Sequence, residues 1–185
     1  VLGPVSGNSA RYRPEQTMSQ LSLSIESSLL VRDVAGEYRP ANADEVLQAA
    51  QRLLGTQLRG REVLTSPQAV RDFLRVKLGA LEHEVFAVLM LDAQNRLIEY
   101  VELFRGTVSQ ASVYPREVVK ESLALNAAAA ILVHNHPSGV AEPSRADEVL
   151  TSTLKTALSL VDVRVLDHLI VAGNDVMSFA ERGLL

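Results

Sequence analysis

The sequence predicts an α/β protein in which helices flank a mixed β-sheet, with an N-terminal helical segment in front of it. Three observations predict this fold class. The apolar run at 85–91 is typical of a buried central strand, because both of its faces must be covered. Strand-like and helix-like patterns then alternate to the end of the chain. Two amphipathic helical patterns, at 42–55 and 66–79, precede the first of these strands.

The composition is that of one ordinary globular domain. The chain has 185 residues, of which 47% are hydrophobic and 22% charged, and no stretch approaches the ~18 apolar residues of a membrane helix. The net charge of -4 and the absence of Trp disfavour nucleic-acid binding outside a local basic patch. We therefore expect a soluble, cytoplasmic protein that does not bind membranes.

The chain contains no cysteine, which excludes disulfide scaffolds, thiol nucleophiles, iron–sulfur clusters and thiolate zinc sites. A transition-metal site must therefore be built from carboxylates and the four histidines. These are His83, His134, His136 and His168.

The N-terminal part is expected to consist of a flexible leader at 1–20 and a strand/helix segment at 21–65. The leader is rich in Ser, Gly, Pro and Arg and lacks the apolar core of a secretory signal. Asn42 and Glu45 have the spacing of a capping box, and the helix that they open is expected to stop at Gly55. A second helix is expected to begin with Ser66 as cap and to end at Gly79.

The rest of the chain predicts the order β-β-α-β-α-β-β. Turn residues at 92–95 separate the buried strand from a second one, which predicts a hairpin. Pro115 opens a helix, after which a short strand leads directly into the His134-Asn-His136 motif. The remaining elements are the strand at 97–104, the strand at 129–133, a helix at 145–160 and closing strands at 163–171 and 176–179.

The two histidines of the motif are one residue apart at a strand end. In an extended backbone both imidazoles then project to the same face, with Cα atoms about 6.5 to 7 Å apart. Asp147, in the first turn of the next helix, is a third candidate ligand. Two imidazoles and one carboxylate suit Zn²⁺ and leave a fourth position for water.

Two simpler interpretations stay open at this point. Histidines at a strand end often bind no metal, and Ser144-x-x-Asp147 is also an ordinary capping box. A carboxylate has two oxygens, so capping and metal ligation by Asp147 are compatible. His168, within an apolar strand, is expected to be a core histidine or one packed behind the site, and His83 a surface or structural residue.

The string His134-x-His136-Pro137-x6-Ser144-x2-Asp147 resembles the JAMM signature of the MPN (JAB) metalloprotease superfamily. Further segments resemble the RadC branch of that superfamily, and the resemblance covers 66–185. These segments are Pro-Ser-Gly after the second histidine, Pro115-Arg-Glu-Val and Asp167-His-Leu-Ile-Val.

The resemblance implies a cytidine-deaminase-like MPN fold and one zinc ion per chain, bound by His134, His136 and Asp147. It assigns to Ser144 the stabilisation of a tetrahedral oxyanion. It also implies an upstream glutamate, at the start of a buried strand, as general base. Glu84 fits that place, with Glu82, Glu99 and Glu102 as rivals.

Two features depart from the family pattern. Relatives that cleave isopeptide bonds commonly have Ser or Thr between the histidines, where this chain has Asn135, so ubiquitin-type substrates are not carried over. Residues 1–65 lack the Gly-x-Gly-Pro turns of the helix-hairpin-helix region, so we expect a short form with little contact to duplex DNA.

These observations favour a zinc-dependent hydrolase that acts on a peptide or protein substrate of unknown identity. An alternative is a RadC-type accessory protein of DNA repair or recombination, in which the metal domain mediates binding. A metal-dependent nuclease at the same site is a third hypothesis, which the acidic balance disfavours.

Overall fold

The computed structural model describes residues 29–59, 67–106 and 113–185. The predicted leader and the predicted cap Ser66 lie outside the described residues. The chain divides into two compact units, Val1–Val46 and Leu47–Leu185, and the boundary falls inside helix α1 (Ala43–Leu58).

The first unit contains a short hairpin and the start of α1. Strands β1 (Leu30–Arg32) and β2 (Tyr38–Pro40) pair antiparallel. The predicted capping box is confirmed: the Glu45 amide donates to the Asn42 side chain, and the Asn42 amide donates to the Glu45 carboxylate, each at 2.9 Å. The first turn of α1 therefore has the hydrogen bonds that its sequence predicts.

The second unit is built on a five-stranded sheet with the order β4-β3-β5-β6-β7. Strands β5 and β6 are parallel, and the other neighbours are antiparallel. The predicted α/β class with a mixed sheet is therefore confirmed. The strands are β3 (Val85–Leu91), β4 (Leu97–Arg105), β5 (Ala129–Asn135), β6 (Arg164–Ala172) and β7 (Asp175–Ser178).

Helices cover both faces of this sheet. Side chains of α1 and of α2 (Pro67–Leu78) pack on one face, and those of α3 (Pro115–Ala124) and α4 (Arg145–Ser159) pack on the other. The residues of β3 alternate between the two cores, and all seven are buried. This placement explains why β3 is apolar at every position rather than at every second one.

The prediction that the first helix stops at Gly55 is wrong, because α1 continues to Leu58. The Leu58 side chain is only 2% exposed. Burying a leucine contributes about 2 kcal/mol, whereas a glycine inside a helix costs about 1 kcal/mol relative to alanine. Burial of Leu58 thus outweighs the weak helix propensity of Gly55.

Strand β5 extends two residues beyond the predicted end at Val133. His134 pairs with Phe86 on one side and with Ile170 on the other. The His136 amide continues the pattern by donating to the carbonyl of Val171 at 2.8 Å. The histidine motif is therefore held by the sheet rather than by a free loop.

Within the described ranges, every helix is too short or too polar to cross a membrane.

Candidate metal centre

Three ligating side chains meet where β5 ends. His134 and His136 point to the same face of the sheet, as the alternation predicts, and their Nε2 atoms are 2.9 Å apart. Helix α4 packs on this face and brings Asp147 to them, with 3.3 Å from Oδ1 to His134 Nε2 and 3.6 Å from Oδ2 to His136 Nε2. One ligand atom from each residue lies within 4.8 Å of the others, so the described residues contain a group that can hold a metal ion.

The two carboxylate oxygens of Asp147 have different partners: Oδ2 caps the helix and Oδ1 faces the candidate site. The amide and the hydroxyl of Ser144 both donate to Oδ2, each at 2.7 Å, and the Asp147 amide donates back to the Ser144 hydroxyl at 3.2 Å. Oδ1 is left to face His134. The capping box and the candidate ligand role therefore coexist, and the first turn of α4 fixes the orientation of the carboxylate.

The ring of His136 is oriented by a main-chain carbonyl. Its Nδ1 lies 2.7 Å from the oxygen of Val140, and because a carbonyl only accepts, Nδ1 carries the proton that is donated. Nε2 is thereby the nitrogen that faces the site. Metal-ligating histidines commonly have this arrangement, since the outer hydrogen bond fixes the tautomer.

Electrostatics within the group favour a cation at its centre. The carboxylate of Asp147, 3.6 Å from Nε2, raises the pKa of His136, which burial alone would lower, and the nearby charge of Glu84 adds to the rise. Burial would raise the pKa of Asp147, but the two nearby imidazoles and the hydrogen bonds from Ser144 hold it well below its usual range. The carboxylate is thus ionised and available to a positive charge.

A third histidine lies directly behind His134. His168 on β6 is fully buried, and its Nε2 lies 2.8 Å from Nδ1 of His134. Its ring stacks on Phe179 and meets the edge of Phe86. Burial holds the pKa of His168 well below its usual range, so the ring is neutral.

Glu84 directly precedes β3, and its charge is felt by His136. The backbone on both sides of Glu84 is held by Asn135. The Asn135 amide donates to the carbonyl of His83 at 3.0 Å, and its oxygen accepts from the amide of Val85 at 2.7 Å. Asn135 is 2% exposed, so these bonds are shielded from water. The candidate base is therefore joined to the end of β5, where both histidines lie.

The rival carboxylates are engaged elsewhere. Glu99 pairs with Arg59 at 3.1 Å, and Glu102 pairs with Lys77 at 3.3 Å. Glu82 is exposed. His83 is half-buried and contacts Arg105 at 3.4 Å through Nδ1, which agrees with the structural role expected of it.

Sequence reasoning missed two contributions to this site, those of Asn135 and Thr151. Asn135 entered the sequence analysis as a departure from a family pattern. Thr151, on the buried face of α4, contacts Nδ1 of His168 through its hydroxyl at 2.6 Å. The available signal was polarity: each is a polar residue at a position that the helix or strand period assigns to the interior.

The donor set fits a zinc ion by its chemistry. Two imidazole nitrogens and one carboxylate oxygen are ligands that zinc accepts, and three protein ligands leave one position open. The outer nitrogens of both rings are hydrogen-bonded, and the carboxylate is capped. The residues present thus match a catalytic arrangement more closely than a closed structural one.

Comparison with known proteins identifies similar chains. The model of a family described as "RadC-like JAB domain" matches residues 64–184. A "UPF0758 protein" of Leptothrix cholodnii is 66% identical over 150 residues, which is 81% of this chain and 68% of the relative. A UPF0758 protein of Methylibium petroleiphilum is 61% identical over 167 residues, which is 86% of this chain and 75% of the relative. One of Aromatoleum aromaticum is 63% identical over 151 residues, 81% of this chain and 67% of the relative.

Proposed function

This chain belongs to the family of RadC-like JAB domains, and we propose that it is a zinc-dependent hydrolase that cleaves a peptide or other amide bond. The observation that carries the proposal is the convergence of His134, His136 and Asp147 on one point. Each of these side chains is held from behind by a hydrogen bond that leaves a ligating atom free. Such preorganisation is expected of a metal site with an open position.

A bound zinc ion would supply a Lewis acid that polarises the scissile carbonyl and lowers the pKa of water to about 7. We assign to Glu84 the role of general base. Its carboxylate would take a proton from the attacking water and deliver it to the leaving amine. The two hydrogen bonds that Asn135 makes to the backbone on either side of Glu84, here called the Asn135 clamp, support this assignment. They fix the backbone of Glu84 relative to both histidines.

We assign to Ser144 the role of stabilising the negative charge that would develop on the carbonyl oxygen of the substrate. Its exposed side chain now donates to Oδ2 of Asp147. Because the Ser144 amide donates to the same oxygen, the hydroxyl can turn toward a substrate without leaving Oδ2 unpaired. A positioned donor of this kind typically contributes 10²–10³-fold to the rate.

The first test is the metal content of the purified protein and its variants. We expect about one zinc per chain in the wild type, with loss of zinc in His134→Ala and Asp147→Ala because each removes one of three ligands. Glu84→Gln should keep its zinc. Full zinc occupancy in Asp147→Ala would contradict the ligand assignment.

Hydrolysis assays on peptide, isopeptide and DNA substrates then separate the candidate functions. Glu84→Gln should lower amide hydrolysis by 10²–10⁴-fold, the usual contribution of a general base. Glu82→Gln, an exposed carboxylate two residues away, is the matched control and should retain activity. Binding of DNA or of a partner protein with no hydrolysis of any substrate would favour the alternative, an accessory role in DNA repair or recombination.

A further inference from the structure

A cleft lies on the face of the sheet opposite to the candidate metal centre. Its volume is about 650 Å³, and its walls come from α1, α2 and β4, all within the second unit. Cavities of this size are typical of binding sites for small molecules. We propose that this cleft binds a small organic anion that carries a phosphate or carboxylate group on an aromatic body.

The wall that α1 contributes contains no apolar side chain. Its residues recur at helical spacing along one side of the helix, and the neighbouring side carries Leu58 into the core. A helix side that faces its own protein is usually apolar, so this polar side is suited to a polar ligand. The residues of the wall are Gln48, Gln51, Arg52, Gly55, Thr56 and Arg59.

The charges around the cleft are predominantly positive. Arg52, Arg59 and Lys77 line it, together with one carboxylate, that of Glu99. Glu99 pairs with Arg59 at 3.1 Å, and Lys77 pairs at 3.3 Å with Glu102, which lies outside the lining. Among the described residues, the charge of Arg52 therefore remains in excess even when both pairs are counted as neutral. A phosphate or carboxylate group balances this charge, and a guanidinium can bind either one through two parallel hydrogen bonds.

The floor of the cleft is aromatic and apolar. The rings of Phe73 and Tyr100 meet edge to face, with centroids 5.4 Å apart and an angle of 85° between their planes. Leu97 lines the cleft beside them, and the Lys77 ammonium lies 5.4 Å from the centroid of the Tyr100 ring. Aromatic surface next to positive charge suits an anion with a ring better than it suits an inorganic ion.

Gly55 leaves room in the wall for such a ring. Glycine inside a helix is less favourable than alanine, and Gly55 lies within α1. A Cβ at this position would meet one atom within 4 Å, Cε2 of Phe73, at an ordinary 3.5 Å. Neither a close backbone approach nor the packing therefore requires glycine here. A longer side chain would project toward Phe73 and fill the space above the aromatic floor.

Phenyl phosphate and benzoate are the probes, because each joins a ring to one of the two anionic groups. Titration calorimetry of the full chain would measure affinity, and amide chemical shifts would locate the bound probe. We expect saturable binding of at least one probe, with shifts at Thr56 and Leu97. Inorganic phosphate lacks the ring and phenol lacks the charge, so each should bind about 10-fold more weakly. Absence of saturable binding of both probes, or shifts confined to other parts of the chain, would overturn the proposal.

Variants of the cleft test the two features separately. Arg52→Gln removes the excess charge and should weaken probe binding by about 10-fold. Lys155→Gln removes an exposed positive charge on α4 and, as the matched control, should bind like the wild type. Gly55→Leu should reduce the affinity for phenyl phosphate to that for inorganic phosphate, with circular dichroism as the check on folding. Unchanged affinity in Arg52→Gln and Gly55→Leu would refute the assignment of the cleft.

The cleft and the candidate metal centre can be tested independently, because they lie on opposite faces of the sheet. His134→Ala, which should lose zinc, is expected to bind the probes as the wild type does. Loss of probe binding in His134→Ala, together with unchanged binding in Arg52→Gln, would place the probe at the metal centre and overturn the proposal. Absence of zinc from the wild type would contradict the proposed function and leave the expectation for the cleft unchanged.

Discussion

At the residue scale, a proton and a metal ion compete for Nε2 of His136. The neighbouring Asp147 carboxylate raises the pKa of His136, so the protonated form persists to a higher pH than in an isolated histidine. Asp147 has a lowered pKa and stays ionised throughout the same range. Proton competition in this pair therefore falls on the imidazole rather than on the carboxylate.

The pH dependence of zinc affinity should report this competition. Zinc must displace the His136 proton, so binding weakens as the pH falls through the raised pKa of His136 and is constant above it. We expect the logarithm of the dissociation constant to rise by about one per pH unit below that point. Titrations at a series of pH values, with His83→Gln as the control outside the site, would measure the slope. A dependence that begins only where carboxylates titrate would contradict this account.

The candidate ligands could be predicted from sequence because their geometry is local. Two histidines one residue apart on a strand share a face whatever the strand pairs with, and a capped helix start fixes Asp147. The partners behind them could not be predicted in this way. Asn135 reaches the backbone around Glu84, and His168 joins residues 34 and 17 positions away in the chain. Those contacts exist only in the observed sheet register.

At the scale of elements, Gly79 makes a tight backbone contact at the end of α2. A Cβ on Gly79 would lie 2.4 Å from the carbonyl oxygen of Gly173, in the turn between β6 and β7, and 2.6 Å from that of Arg75. Both atoms belong to the backbone and cannot move aside. Helix α2 can therefore end against this turn only if position 79 has no side chain.

Alanine at two glycine positions should have effects of opposite sign. Gly79→Ala should lower the free energy of unfolding by about 2–3 kcal/mol, because overpacking forces the backbone to shift. Gly55→Ala should raise it by about 0.5–1 kcal/mol, because Gly55 is helical and its Cβ would meet only Phe73, at an ordinary 3.5 Å. Urea unfolding of both variants measures the two effects, and stabilisation by Gly79→Ala would show that the contact is not tight.

The elements themselves were largely predictable, and their ends were less so. The order of strands and helices from 85 onward follows from apolar periodicity and turn residues, which act locally. The ends of α1 and β5 depend on what lies beside them. The Leu58 side chain packs into the core, and His134 pairs with a strand on each side. Neither contact can be read from the local sequence pattern.

At the scale of the whole molecule, the candidate centre joins parts that are distant in sequence. Its candidate ligands come from the end of β5 and from α4, and both elements contribute side chains to the core on one face of the sheet. A metal ion at this point would bind the folded state and not the unfolded chain. Metal binding is therefore linked to global stability.

Zinc should accordingly raise the melting temperature of metal-free protein. A free zinc concentration 100 times the dissociation constant stabilises by about 2.7 kcal/mol, which corresponds to a shift of about 5–10 °C for a chain of this size. Scanning calorimetry would measure the shift. Asp147→Ala should show none and Glu84→Gln the full shift, whereas an equal shift in all three proteins would indicate binding elsewhere.

The clamp formed by Asn135 has a mechanical consequence. Because one buried amide side chain is hydrogen-bonded to the backbone on both sides of Glu84 and itself lies between His134 and His136, the backbone of the candidate base is tied to the backbone of two candidate ligands. Thermal motion that displaces one of them carries the others along. We therefore expect the spacing between the backbones of the candidate base and the two candidate ligands to change little when other parts of the fold fluctuate.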